Sequence, residues 1–120
     1  MSFQNYKQLD IWQKAMDLTD EIYKLIDLLP KEEMFAMSSQ LRRATVSVPS
    51  NIAEGSGRFS EKEFKQFLSI AKGSLYEVET QLLICIRRDY FKEEDAHTAL
   101  ELCDEISRKI TNLVFRLNKQ

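Results

Sequence analysis

Glycine and proline are scarce in this chain, three and two respectively in 120 residues. Average usage would supply about 14. Antiparallel sandwiches and barrels turn roughly every 8–12 residues. Those turns draw on glycine's access to positive φ and on proline's fixed φ. Five such residues cannot punctuate an all-β fold, and collagen-like or linker-like chains are excluded by the same scarcity. Helices need breakers only at their ends, so an all-α chain remains. Hydrophobic residues at 43% and charged residues at 30% fit a soluble domain with an apolar inside and a charged outside. The length suits a single domain over 1–120, able to bury a core without metals or disulfides.

Apolar spacing divides the chain into four expected helices. The first, about 7–28, carries two stripes at three-four spacing. One runs through Leu9, Trp12, Met16, Thr19, Tyr23 and Ile26, the other through Ile11, Ala15, Leu18, Ile22, Leu25 and Leu29. A helix packed on one side needs one stripe somewhat wider than about 100°, so the surplus predicts self-association. The second helix, about 31–54, is expected to start behind Pro30, with Met37, Leu41, Ala44, Val48 and Ile52 facing the core. Pro49 removes the bond to the Thr45 carbonyl and predicts a kink or break.

Gly55 and Gly57 read as C-terminal punctuation, and Ser60-Glu61-Lys62-Glu63 as a capping box for the third helix, about 61–88. Its apolar face runs from Phe64 to Cys85. Gly73-Ser74 in its middle suggests a close crossing with a neighbouring backbone. The fourth helix, about 92–118, has a seam of Ala96, Leu100, Cys103, Ile106, Ile110, Leu113 and Leu117. Short links predict antiparallel neighbours, hence an up-down-up-down four-helix bundle with its second helix kinked near Pro49.

Charge and cysteine usage bound the partners. Seventeen basic residues against nineteen acidic ones give a net charge of −2, whereas dedicated nucleic-acid modules usually have a pI above about 9. A local basic patch is still compatible with that balance. Charges at Asp10, Lys14 and Asp17 interrupt any signal pattern, and the longest uncharged stretch, Ala44 to Ala53, is half a membrane span. A cytoplasmic protein with no membrane partner is expected. Cys85 and Cys103 fall out of register by roughly 10 Å across their helical turn, too far for a disulfide, and read as buried core thiols.

No motif for a catalytic site, metal or cofactor is present. His97 is the only histidine, expected at the surface, and zinc or di-iron sites need several ligands at set spacings. No enzyme and no small-molecule substrate are expected. One constellation stands out: Gln40, Arg43, Ser47, Asn51 and Glu54 form a polar stripe along the second helix, with Glu77, Glu79 and Gln81 of the third placed to face it. It reads as a solvated face, as a partly buried network fixing register or assembly, or as a ligand site. Arg42, Arg58, Arg87 and Arg88 form a looser set. The last two compensate a helix C-terminus, or in a ring-shaped oligomer build a basic rim for nucleic acid.

The segment Leu41-Arg42-Arg43-Ala44-Thr45-Val46-Ser47-Val48-Pro49-Ser50-Asn51-Ile52-Ala53-Glu54-Gly55 carries a resemblance. With Arg58, Glu63-Phe64, Phe67-Leu68 and Ile70-Ala71-Lys72-Gly73-Ser74-Leu75, and with Leu9-Asp10-Ile11-Trp12-Gln13-Lys14-Ala15 at the start, it resembles the 23S rRNA intervening-sequence protein family, also called four helix bundle proteins. The resemblance spans nearly the whole chain. It implies a left-handed up-down bundle, bacterial, assembled as a homo-oligomer and specifically a pentamer. It also implies association with rRNA or a ribonucleoprotein. A similar fold in the accessory protein of diversity-generating retroelements adds an alternative, a protein that binds nucleic acid and a reverse transcriptase.

Overall fold

The computed structural model describes residues 5–119. Four α-helices account for most of it: α1 (Asp10–Ile26), α2 (Met37–Ser56), α3 (Glu61–Arg87) and α4 (Glu93–Asn118). No strand occurs among the described residues. The apolar periodicity explains the packing. On α1 the stripe through Ile11, Ala15, Leu18, Ile22 and Leu25 is buried, while Met16 and Tyr23 of the other stripe are exposed. Leu41, Val48 and Ile52 of α2, Leu68, Leu75 and Leu82 of α3, and Ile106 and Ile110 of α4 complete one core. Each such side chain contributes about 1.5–3 kcal/mol by leaving water.

Helix α1 packs against α2 and α4, and α3 packs against the same two, so α1 and α3 lie on a diagonal. Side-chain contacts fix direction. Lys65 of α3 meets Asn118 of α4 at 2.6 Å and Lys72 meets Thr111 at 2.6 Å, so one number falls as the other rises. The same inverse register joins Asp10 to Lys109 and Lys14 to Glu105. It also joins Ser47 to Ser74 and Arg58 to Phe67. These three helix pairs are antiparallel, in a body 48 × 21 × 20 Å. By this register α1 begins near the middle of the bundle, so among the described residues one end is built from the end of α2, the start of α3 and the end of α4.

Local chemistry sets the helix ends. Ser60 accepts from the Glu63 backbone N–H at 3.1 Å, the first bond of the expected capping box, while the Glu63 carboxylate meets the Ser60 hydroxyl at 3.3 Å rather than its backbone N–H. After α3, Asp89 takes φ 61°. The Tyr90 N–H then reaches the Cys85 carbonyl and the Asp89 N–H the Ile86 carbonyl, the paired bonds of a glycine-type helix stop made here with Asp.

Several expectations are corrected. The chain does not enter α2 at Pro30: that residue is extended and is followed by a single 3-10 turn, Lys31–Glu33, and α2 starts only at Met37. A tertiary contact holds that turn, since the Tyr90 hydroxyl donates to the Glu33 carboxylate at 2.8 Å. No break occurs at Pro49, which lies buried inside a continuous α2. Gly55 is not punctuation but a buried residue of α2, and Gly57 ends the helix with an ordinary right-handed φ of −87°.

The close crossing belongs to Gly55 rather than Gly73. A methyl group on Gly55 would lie 2.6 Å from Phe67 Cβ, whereas one on Gly73 meets nothing within 4 Å. Gly73 sits on the outer side of α3, where no neighbouring backbone comes near.

Candidate functional site: a polar cleft and two charged ends

The polar stripe of α2 divides into three parts. Ser47 and Asn51 turn toward α3. The Ser47 and Ser74 hydroxyls are 2.8 Å apart, and Asn51 Nδ2 donates to the Ser47 carbonyl at 2.8 Å and to its hydroxyl at 2.9 Å. This ladder is half-buried and ties the two helices. Gln40 and Arg43 stand on the rim of a cleft of about 370 Å³ whose floor holds Ser74 and Gln81, with Glu77 across from them. Arg43 makes one long contact, 3.4 Å to the Ser39 hydroxyl. Glu54 lies outside the cleft and pairs with Arg58 at 2.7 Å.

Glu77 and Gln81 therefore meet the stripe as expected, but Glu79 does not. It lines the groove between α3 and α4 with Tyr76, Cys103 and Asp104, because 79 lies on the opposite flank of α3 from 74 and 81. Ser74 was legible as a small polar residue in mid-helix but not as a partner of Ser47, a pairing 27 positions apart. Three buried side-chain oxygens, on Ser38, Thr45 and Gln81, lack a partner among the described residues.

The arginines do not form one patch. Arg42 lies over the Tyr23 ring at 5.7 Å, and Arg58 over Phe67 at 4.8 Å while also held by Glu54. Arg87 ends α3 and Arg88 caps it, both exposed. They share their end of the bundle with Asp27, Glu32, Glu33, Asp89, Glu93, Glu94 and Asp95, against which Lys24, Lys31 and Lys92 add further positive charge. The other end is cationic, with Arg58, Lys62, Lys65, Arg116 and Lys119 facing Glu54, Glu61 and Glu63.

Other titratable groups form ion pairs or lie buried. Lys109 bridges Asp10 and Glu105, the latter at 2.9 Å, and so ties α1 to α4. That bridging raises the Lys109 ammonium above its ordinary value, and the Lys109 hydrogen bond holds the Glu105 carboxyl below its own. His97 is exposed and lies 3.3 Å from Glu101. Cys85 and Cys103 are buried, unpaired thiols, pushed up by burial to about 11 and about 12. No cluster of three or more metal-ligating side chains occurs among the described residues, and no helix among them is long and apolar enough to cross a membrane.

A family model described as 23S rRNA-intervening sequence protein matches residues 7–112. Among solved structures, this chain is similar to a protein of unknown function from the S23 ribosomal protein family of Bacteroides thetaiotaomicron VPI-5482. The TM-score is 0.80 at 26% identity, over 87% of this chain and 97% of that one. No curated protein matches the chain.

Proposed function

This chain belongs to the 23S rRNA-intervening sequence protein family, and from that footing we propose that it is a non-enzymatic scaffold which assembles with copies of itself and works through interactions. The supporting observation is apolar surface left outside a completed core. Ile70, Leu83 and Ile84 are exposed on α3, and across the diagonal Met16 and Tyr23 of α1 lie exposed with Val46 of α2. Two non-equivalent faces suit head-to-tail contacts, which close into a ring when the rotation per subunit divides the full turn. A pentamer in the bacterial cytoplasm, associated with rRNA or a ribonucleoprotein, is the form this reading takes.

The buried thiols support the non-catalytic part of the proposal. Both stay protonated and shielded at neutral pH, which leaves neither as a nucleophile. The oligomer is tested by multi-angle light scattering. The expected mass is several times the 14.1 kDa of one chain, falling when Ile84→Lys charges one of the two faces. A single-chain mass at every concentration overturns it.

The alternative is an accessory protein that binds nucleic acid or a reverse transcriptase through a basic rim. The carboxylates around Arg87 and Arg88 disfavour that end for a polyanion. The opposite end is the one that charge favours.

A further inference from the structure

We propose that the bundle end formed by the α2–α3 turn and the last turns of α4 is a docking surface for single-stranded nucleic acid. It would bind by stacking bases on Phe59 and Phe115 and by meeting phosphates with lysines and arginines. This sharpens the nucleic-acid part of the reading above and does not depend on the number of subunits.

Phe59 is fully exposed at the tip of the α2–α3 turn, and Phe115 is 64% exposed near the end of α4. The Lys65–Asn118 contact places the start of α3 beside the end of α4, so both rings belong to one end. Neither ring contributes much to the core, so folding alone gives no reason for a phenylalanine at Phe59. An unshielded ring does offer a π-face to a base, a contact that tolerates any sequence.

Charge selects the occupant. Cations outnumber carboxylates at this end: the Lys119 ammonium lies 5.8 Å from the Phe115 ring centre, Lys62 follows Phe59 by three positions, and Arg58, next to Phe59 in sequence, stacks on Phe67 and pairs with Glu54. Lys65 and Arg116 complete the set. Lys65 bonds to a neutral amide rather than a carboxylate, so its charge is free to meet a phosphate. Isolated aromatics set among ammonium and guanidinium groups suit a flexible polyanion with bases to stack. A membrane surface would call for contiguous aliphatic side chains.

The contrast within one molecule strengthens the choice. Phe35 at the far end is also almost fully exposed, but it stands near Glu32 and Glu33, with the carboxylates of the α3–α4 turn at the same end. Exposed aromatics coincide with an excess of positive over negative charge at one end only.

The test is fluorescence anisotropy of a labelled single-stranded RNA of about 15 nucleotides, titrated with the whole chain at two salt concentrations. Binding is expected at low salt, with a log–log salt slope near −3 for roughly four phosphate contacts. Phe59→Ala with Phe115→Ala should weaken it about tenfold or more at an unchanged slope. Lys62→Gln with Arg116→Gln and Lys119→Gln should flatten the slope, and Arg87→Ala with Arg88→Ala should change neither. Circular dichroism melting is expected to stay the same for the phenylalanine variant, which keeps the comparison free of unfolding.

No binding at low salt overturns the proposal. So does full affinity in the phenylalanine variant, loss of binding only in the Arg87/Arg88 variant, or flotation with phosphatidylglycerol vesicles in place of RNA binding. Each of these results leaves the light-scattering test of assembly unaffected.

Discussion

Cys103 illustrates how burial sets a residue's chemistry. Its thiol lies on the α4 seam, and burial, reinforced by the Glu79 carboxylate, pushes it up to about 12 from an ordinary 9.0. As pH rises past 9 the unfolded chain releases this proton while the folded chain keeps it. Its contribution is therefore complete below the unfolded value and is lost as pH rises toward the folded one. Stability should fall by about 1.4 kcal/mol per pH unit for such a thiol across that window. Urea unfolding from about pH 8 to about pH 10 should show a shallower alkaline loss for Cys103→Ala than for the native chain. Parallel curves would mean that the thiol ionises normally. That both cysteines are core thiols was legible from their place on apolar stripes. Ser74 as the partner of Ser47 was not, because a serine's neighbours across 27 positions leave no mark on local spacing.

At the scale of elements, the contact between α2 and α3 turns on which glycine is crowded. The sequence points to Gly73, since glycine in mid-helix costs stability without a compensating approach. The fold places that approach at Gly55, where an added methyl group would lie 2.6 Å from Phe67 Cβ and 3.0 Å from the Phe64 ring. A matched pair of substitutions separates the two. Gly55→Ala forces the helices apart at a rigid Cβ and should cost about 1–3 kcal/mol. Gly73→Ala fills open space on an exposed helix face and should stabilise by about 1 kcal/mol. Chemical denaturation measures both, and equal effects would discard the assignment. The start of α2 shows a similar override. Pro30 with Glu32 and Glu33 reads as a helix start, but the Tyr90 hydroxyl holds Glu33 in a 3-10 turn.

Over the whole molecule, apolar and charged residues are distributed unevenly. The flank between α1 and α4 is closed by Asp10, Lys14, Glu105 and Lys109. Exposed apolar residues gather instead on α3 and along α1 with α2. If these faces join copies, folding and assembly are linked, and the melting temperature should rise with protein concentration. Differential scanning calorimetry over a hundredfold dilution checks this, and a constant melting temperature would argue for an isolated bundle. The surplus on α1 was visible as two stripes. Which of them becomes core was not, because both satisfy the helical repeat and only the positions of α2 and α4 choose.

The number and type of elements were determined locally. Helical periodicity is a property of neighbours three and four apart, and a chain with five breakers has few places to stop. The long motif from Leu41 to Gly55 carried the family for the same reason, being contiguous. The tertiary structure decided everything that depends on residues far apart in sequence arriving side by side. It set the crowding at Gly55, the ladder from Asn51 through Ser47 to Ser74, and the division of the bundle into a cationic end and an acidic one. Net charge sums over the chain and hides that division. Packing separates it, because antiparallel helices bring the start of one beside the end of the next.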